Sequence, residues 1–227
     1  MCGRFAITLP DDAMVQLFAA LPANDLPPTP NYNVCPTNQI AVVTSDDGTR
    51  RLRPMRWGFL PHWYKTPSGG PLLINARAET IAEKPAFRAA ARERRCLIAA
   101  TGFYEWTKTP DGKRLPWYIH RADGAPLVFA GVWQDWRAKD GEGPDGPTCA
   151  IVTCGANEPM SQIHHRMPVI LTPDTFGKWL GEEGKGAATL MQPAPDDALT
   201  FFRVDPAVNS NRAAGPQLIE PLPDDEA

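Results

Sequence analysis

Residues 96–106 read CLIAATGFYEW, residues 114–120 read RLPWYIH, and residues 127–136 read LVFAGVWQDW. All three stretches are rich in β-branched and aromatic residues, which favour strands. The turn signals Pro110-Asp111-Gly112 and Ala122-Asp123-Gly124 separate them. The sequence therefore predicts a β-rich centre in which neighbouring strands are joined by short turns.

Signals for further strands and helices continue on both sides of this centre. Asp46-Asp47-Gly48 is typical of a hairpin turn between the segments Gln39–Ser45 and Thr49–Phe59. Further strands are predicted at 72–74, 148–154, 167–172 and 201–204, and helices at 11–21, 85–95 and 173–180. Pro22 to Pro36 reads as an ordered loop, and Gly141 to Pro147 as a flexible hairpin tip. This order predicts an α+β protein with two packed or barrel-like, mostly antiparallel sheets and peripheral helices.

Composition sets the class of protein. The chain has 227 residues, of which 43% are hydrophobic and 22% charged, so we expect one globular domain over residues 1–222 and a short acidic tail at 223–227. No apolar run is long enough to span a membrane, and the N-terminus lacks a signal-peptide pattern, so we expect a cytoplasmic protein. We expect it to act as a monomer. The net charge of −3 counts mildly against a nucleic-acid partner, but it does not exclude a local basic patch.

The cysteines point to a reducing compartment. Their number is odd, at five, and no CxxC pair or neighbouring histidine suggests a zinc site. Cys96 and Cys149 lie in apolar stretches and are expected in the core. We expect neither a metal nor an organic cofactor.

The N-terminal residues Met1-Cys2-Gly3-Arg4-Phe5 carry a distinctive chemical possibility. Removal of Met1 would give Cys2 a free α-amine beside its thiol. The amine titrates near ~8 and the thiol near ~8.5, so both are partly nucleophilic at neutral pH. An aldehyde that forms an imine with the amine can then be closed by the thiol into a thiazolidine ring. A passive terminal cysteine is the alternative.

Three further segments place polar residues in apolar surroundings: Leu73–Thr80, Gly102–Trp106 and Ile163–Pro168. In the second segment, Glu105 stands among aromatic residues. Desolvation there would raise the pKa of its carboxyl group and suit it to proton transfer. The structural alternative is a strand residue that forms a salt bridge.

Together these segments resemble the SRAP (SOS-response-associated peptidase) domain family. The resemblance is carried by MCGRF, YNVCP, RWGFLP, NARAET, GFYEW, IHHRMPVIL and VNSNRAAGPQLIEP, which occur in this order along nearly the whole chain. It implies the SRAP fold and covalent capture of abasic sites in single-stranded DNA. Cys2 would be the nucleophile, Glu105 the general acid and base, His164 a hydrogen-bonding partner of the sugar, and Asn75 the group that orients the sugar or the amine.

The same resemblance implies a DNA-binding surface. Arg4, Arg77 and Arg166 match positions that bind phosphates, and the planar guanidinium suits phosphate oxygens. Trp63 and Tyr64 match a wedge that presses against bases, with folding back onto the core as the alternative. Trp106 would stack near the site or belong to the core. His165 stands where relatives often carry aspartate, so no role is implied for it, and Glu79 is expected to pair with an arginine. Trp57, Trp117, Trp133 and Trp136 are expected to serve packing.

The leading functional hypothesis is therefore a DNA-damage protein that forms a thiazolidine crosslink with abasic DNA and shields the lesion. In a bacterium it would be associated with the nucleoid while bound to DNA. One alternative is an N-terminal-nucleophile peptidase or amidohydrolase whose peptidase activity could be limited to the release of Met1. Another is a non-covalent reader of modified bases or single strands, for which Cys2→Ala would bind as well as the unchanged protein.

Overall fold

The computed structural model describes residues 2–138 and 145–223. Its strands are β1 (Phe5–Ile7), β2 (Leu21–Pro22), β3 (Asn31–Val34), β4 (Gln39–Asp46), β5 (Thr49–Trp57), β6 (Asn75–Arg77), β7 (Arg95–Ala100), β8 (Gly102–Lys108), β9 (Arg114–Arg121), β10 (Leu127–Trp136), β11 (Gly146–Gly155), β12 (Arg166–Pro168) and β13 (Leu199–Arg203). Its α-helices are α1 (Asp11–Phe18), α2 (Arg88–Glu93), α3 (Glu158–Ser161) and α4 (Phe176–Leu180). Short 3-10 helices occupy Pro173–Thr175, Ala187–Leu190, Pro206–Asn209 and Pro216–Ile219. No described helix is long and apolar enough to cross a membrane.

The larger sheet closes on itself as a five-stranded barrel. β5, β4, β7, β10 and β11 pair antiparallel in that order. A short parallel pairing between β5 and β11 completes the ring, with Thr148 opposite Arg56 and Cys149 opposite Trp57. β2, β6 and β12 extend the sheet at its edges. The α+β class and the barrel-like sheet predicted from the sequence are both confirmed.

The smaller sheet has the strand order β13-β9-β8-β1-β3 and packs against the barrel. Because side chains alternate along a strand, its two faces differ. On one face, the Phe5 ring packs 5.1 Å from the Trp57 ring of the barrel, and the Phe103 ring 5.9 Å from that of Phe129. On the other face, a separate cluster around Tyr104 packs under the C-terminal 3-10 helices. The candidate residue Glu105 is therefore on the barrel side of this sheet.

The predicted single strand from Cys96 to Trp106 is wrong, because the chain passes between the two sheets at Thr101. The Thr101 N–H donates to the Ala6 carbonyl at 2.7 Å, and its hydroxyl accepts the Thr8 N–H at 2.8 Å. At the next position, a Cβ on Gly102 would overlap the Tyr118 ring. Glycine therefore lets β8 start in close contact with β9.

Other helices and strands lie where the sequence predicted them, but some are shorter than predicted. The hairpin between β4 and β5 forms as predicted, and Asp47 and Gly48 have φ values of 50° and 77°, as a type I′ turn requires. The helix predicted from Pro85 begins at Arg88 after a series of turns, and the strand predicted at 167–172 is confined to Arg166–Pro168. Most of the predicted hairpin tip and all but one residue of the acidic tail lie outside the described residues.

Candidate functional site

The N-terminal segment runs beside the strand that carries Glu105. Phe5 pairs with Phe103, and the Tyr104 N–H donates to the Arg4 carbonyl at 2.9 Å. If the same antiparallel register continues, Gly3 and Cys2 lie beside the part of β8 that follows Tyr104. The Cys2 side chain is fully buried. Burial raises the pKa of the Cys2 thiol well above its usual range, and the charge of Glu105 raises it further. The thiol is therefore protonated at neutral pH and lies close to the carboxyl group.

Asn75 holds Cys2 from the opposite side. It is the first residue of β6, which pairs in parallel with β11. Its Nδ2 donates to the Cys2 carbonyl oxygen at 2.9 Å. Its Oδ1 is buried and accepts no hydrogen bond from residues 2–138 or 145–223. A buried acceptor without a donor costs about 1–3 kcal/mol, so this oxygen is poised to accept a hydrogen bond from an incoming group.

The Glu105 carboxyl group is almost completely buried, with 3% of the residue exposed. Burial is the main influence on it and raises its pKa, as the aromatic sequence context predicted. The positive charge of the chain's N-terminus, the Trp106 N–H and His165 act in the opposite direction. A raised pKa makes the carboxylate a stronger base, so the group can both accept and return a proton.

His164 follows α3 and precedes β12. Its Nδ1 lies 3.0 Å from the Arg166 nitrogen and 3.2 Å from the Arg166 carbonyl oxygen. Because the shorter contact requires Nδ1 to accept the Arg166 N–H, we assign the proton of the neutral ring to Nε2. Burial is the main cause of its lowered pKa. The His165 ring stacks on it with centroids 4.4 Å apart. His164 is therefore a neutral hydrogen-bond donor at pH 7, and its neighbour His165 influences both it and Glu105.

The three arginines predicted to bind phosphate have different surroundings. Arg4 donates through Nη1 to Asn33 Oδ1 at 2.7 Å and to the Val208 carbonyl at 3.0 Å, which ties the N-terminus to the C-terminal segment. The Arg166 side chain, 11% exposed, forms a two-pronged ion pair with Glu79 at 2.7 and 3.0 Å. Arg77 is exposed and forms no ion pair with another described residue. Of the three, Arg77 presents the most accessible guanidinium group.

The two aromatic residues of the predicted wedge differ in how deeply they are buried. Trp63 is 42% exposed, whereas Tyr64 is 8% exposed. The Tyr64 hydroxyl donates to the Pro71 carbonyl at 3.2 Å, and its own carbonyl accepts Trp136 Nε1 at 3.2 Å. The stacking prediction therefore rests on Trp63, while Tyr64 folds back onto the core.

Trp106 lies on the face of β8 opposite to Glu105. Its Nε1 donates to Asn209 Oδ1 at 2.6 Å, and the Arg114 guanidinium lies 4.8 Å from its ring centroid. It packs against the cluster around Tyr104. Trp106 is therefore partly covered by neighbouring side chains, and its predicted role at DNA stays a prediction.

Trp117 packs against the core, as the sequence predicted, and it is also the cross-strand partner of Glu105. It shares the barrel-side face with Glu105, is partly exposed, and lies 5.5 Å from the Arg203 guanidinium. The signal was present in the sequence, because a hairpin centred on Asp111 pairs residue 105 with residue 117. Among the described residues, no group of three or more His, Cys, Asp or Glu is arranged to hold a metal ion.

Comparisons with known proteins find relatives along nearly the whole chain. The profile of the SOS response associated peptidase (SRAP) family matches residues 1–211. The chain is 37% identical to "Abasic site processing protein YoqW" of Bacillus subtilis over 97% of this chain and 99% of that protein. It is 32% identical to "Abasic site processing protein YedK" of Escherichia coli over 98% of this chain and 100% of that protein.

Solved structures show the same fold. A Bacteroides thetaiotaomicron protein superposes with a TM-score of 0.84 at 24% identity, covering 97% of this chain and 100% of its own. A Bordetella bronchiseptica protein superposes with a TM-score of 0.74 at 28% identity, covering 90% of this chain and 100% of its own. With the full-length sequence relatives and the family profile, these likenesses lead to one conclusion: the chain belongs to the SRAP family.

Proposed function

We propose that this protein captures abasic sites in single-stranded DNA by forming a thiazolidine between Cys2 and the aldehyde of the ring-opened sugar. The observation that carries the proposal is the position of Cys2. Its carbonyl is held by the Asn75 amide, and its thiol lies within the electrostatic reach of the buried Glu105 carboxyl group. Abasic-site processing is also the activity in the printed names of the relatives.

The chemistry begins once Met1 is removed. The Cys2 amine attacks C1′ of the aldehyde, and the resulting carbinolamine loses water to give an imine. The thiol then transfers its proton to the Glu105 carboxylate as Sγ bonds to C1′. Glu105 returns a proton to the ring nitrogen. Overall, one C–N and one C–S bond form, the C=O bond is lost, and one water leaves.

The surrounding residues have separate tasks in this scheme. The raised pKa of the Cys2 thiol keeps sulfur protonated until the imine has formed, so that the amine reacts first. His164, neutral and protonated on Nε2, donates to the sugar oxygen released on ring opening. The buried Asn75 Oδ1 accepts a hydrogen bond from the Cys2 amine or a sugar hydroxyl. All of these steps use groups of the chain and the DNA alone.

The adduct would shield the lesion from strand cleavage during the DNA-damage response. We propose that the protein acts as a monomer in the bacterial cytoplasm, at the nucleoid while bound to DNA. Arg77 and Trp63 are the exposed groups best placed to bind phosphate and base.

A denaturing gel tests covalent capture. Purified protein lacking Met1, verified by intact mass, is incubated with an oligonucleotide that carries one abasic site. We expect a heat-resistant shifted band whose mass is that of protein plus DNA minus one water. Cys2→Ala should abolish the band. Cys35→Ala is the matched control, because Cys35 is partly exposed, and it should leave the band unchanged.

The alternatives predict other results. Equal DNA binding by Cys2→Ala and unchanged protein, without any shifted band, would support a non-covalent reader. Hydrolysis of ordinary peptides that depends on Cys2 would support the peptidase reading.

A further inference from the structure

The barrel carries a polar layer inside the end that is farther from the candidate site. At the near end, the Phe5 ring of the smaller sheet packs 5.1 Å from the Trp57 ring and 6.0 Å from the Phe129 ring. Arg53 precedes Trp57 on β5 by four residues, and Trp133 follows Phe129 on β10 by four residues. Four residues of a strand span about 13 Å. The layer around Arg53 and Trp133 is therefore separate from the proposed capture site.

The side chains of this layer point into the barrel. β5 and β10 are not neighbours in the ring of strands, yet Arg53 Cζ lies 4.6 Å from the centroid of the Trp133 ring. Cys96 on β7 and Cys149 on β11 also belong to strands that are not neighbours. Burial is the main cause of the raised pKa of the Cys96 thiol, Cys149 raises it further, and the Arg53 guanidinium lowers it. Such contacts cross the barrel interior, so the Arg53 guanidinium lies inside this end of the barrel.

The strand register adds two polar residues to the same face. Val42 on β4 is opposite Arg53, and Thr44 is two residues further along β4, so Thr44 and Arg53 share a face. Arg94 directly precedes β7. The Trp133 N–H donates to the Arg94 carbonyl at 2.9 Å, which continues the pairing of β10 with β7 and puts Arg94 opposite Trp133. Thr44, Arg53 and Arg94 therefore converge from three strands on one end of the barrel.

Four buried polar atoms of this layer form no hydrogen bond with any described residue: Thr44 Oγ1, Arg53 Nε, Arg53 Nη2 and Arg94 Nε. Thr44 is only 1% exposed, whereas the side chains of Arg53 and Arg94 are 29% and 28% exposed. The layer is therefore buried on one side and open to solvent on the other. All four atoms can donate, so their complement is a group that only accepts. A water molecule has two acceptor positions, whereas the oxygens of an oxyanion can accept from all four donors.

The charges around this layer leave it positive. Arg51 Nε and Arg53 Nη2 lie 3.9 and 4.0 Å from the same oxygen, Asp46 Oδ2. Arg94 Nη1 donates to Glu93 Oε2 at 3.3 Å. The side chains of Asp46 and Glu93 are 53% and 69% exposed, so water screens their attraction for the guanidinium groups. Three guanidinium groups thus face two weakly held carboxylates.

We propose that this end of the barrel binds a small phosphate oxyanion between Thr44, Arg53 and Arg94. The planar guanidinium fork matches the oxygens of a phosphate, and the Trp133 ring holds the Arg53 guanidinium in place. The same oxyanion is present in free inorganic phosphate and in the phosphate group of a mononucleotide. The site takes no part in the proposed capture of DNA, so either can fail without the other.

Thermal unfolding of the full chain tests the site with inorganic phosphate as the probe. The melting temperature is measured at neutral pH in about 10 mM phosphate and in chloride of the same ionic strength. Arg53→Gln removes the guanidinium group, and Thr44→Val removes the hydroxyl group while keeping the shape of the side chain. Arg114→Gln is the matched control. Arg114 also lies over a tryptophan ring, 4.8 Å from the Trp106 centroid, but none of its nitrogens is both buried and unpaired.

A site with a dissociation constant of about 1 mM is about nine-tenths occupied at this concentration. We therefore expect phosphate to raise the melting temperature of the unchanged protein by about 3–6 °C relative to chloride. Arg114→Gln should keep this rise. Arg53→Gln should reduce it to about a third or less, which corresponds to binding that is at least about tenfold weaker. Thr44→Val should reduce the rise as well, and it carries the comparison with Arg114→Gln if Arg53→Gln does not fold.

Phosphate also stabilises folded proteins because it is excluded from their surface, and this contribution is common to all variants. No rise in the unchanged protein, or an equal rise in the unchanged protein, Arg53→Gln and Thr44→Val, would overturn the proposal. Adenosine 5′-monophosphate at the same concentration distinguishes the two sources of the oxyanion. A larger rise than with inorganic phosphate assigns the site to a mononucleotide phosphate, and an equal or smaller rise assigns it to the free ion.

Discussion

Replacement of Glu105 by glutamine tests whether its carboxyl group moves the protons of thiazolidine formation. The two side chains have nearly the same shape, but glutamine cannot accept a proton. Because Glu105 is only 3% exposed, bulk water cannot easily take its place. General acid–base catalysis contributes about 10²–10⁴-fold to a rate. We therefore expect Glu105→Gln to slow adduct formation about 10³-fold, or about 4 kcal/mol of activation free energy.

The assay is a single-turnover crosslinking time course, measured across a pH range. Burial raises the pKa of Glu105, so its carboxylate form becomes populated at a higher pH than that of an exposed glutamate. The rate for the unchanged protein should rise with pH through this range. Glu105→Gln should lack the rise in rate that is due to ionisation of Glu105. It should retain only the rise due to deprotonation of the Cys2 amine, near pH ~8.

Stability provides the control for this variant. A carboxyl group whose pKa is raised in the folded protein favours folding in its protonated form, and that contribution is lost as pH rises through the raised pKa. Removing the ionised group should therefore not lower the melting temperature of Glu105→Gln at neutral pH. An unchanged rate and pH profile in a well-folded variant would refute proton transfer by Glu105.

Three further predictions concern groups around the site. Arg77 is exposed and forms no ion pair with another described residue, so its guanidinium group can neutralise a phosphate of the DNA. Arg77→Gln should therefore reduce the slope of log affinity against log salt concentration by about 0.7 for a single strand, as measured by anisotropy titrations. Arg166→Gln should lower the free energy of unfolding by about 1–2 kcal/mol in urea melts, because it removes the bond to the buried Thr153 carbonyl and the partly solvent-screened ion pair with Glu79. The part due to Glu79 should be lost as pH falls through the lowered pKa of its carboxyl group, and a difference independent of pH would contradict this ion pair. Gly102→Ala should cost about 1–3 kcal/mol in the same melts, because its Cβ would overlap the Tyr118 ring, and an unchanged midpoint would contradict this packing.

Local signals in the sequence predicted the hairpins and the segments that carry the candidate catalytic residues. The positive φ values of Asp47 and Gly48 follow from the turn sequence itself. The β8–β9 register follows from the turn around Asp111. Such elements depend on neighbouring residues, and a sequence pattern can therefore specify them.

Contacts between distant residues could not be predicted in this way. Asn75 and Cys2 meet only because β6 joins β11 while the N-terminal segment runs beside β8. Tyr64, unlike Trp63, is buried in a cluster that includes Trp136, which is far along the chain. The break of the predicted strand at Thr101 results from packing between two sheets, which no local propensity records.

Covalent capture through Cys2 can be tested by tandem mass spectrometry of the tryptic N-terminal peptide from the crosslinked product. Trypsin releases Cys2-Gly3-Arg4, and iodoacetamide marks any free thiol. We predict that Met1 is absent, that the sugar remnant is attached to Cys2 with loss of one water, and that the thiol is not alkylated. An alkylated Cys2, or a remnant attached to a lysine elsewhere in the chain, would contradict it.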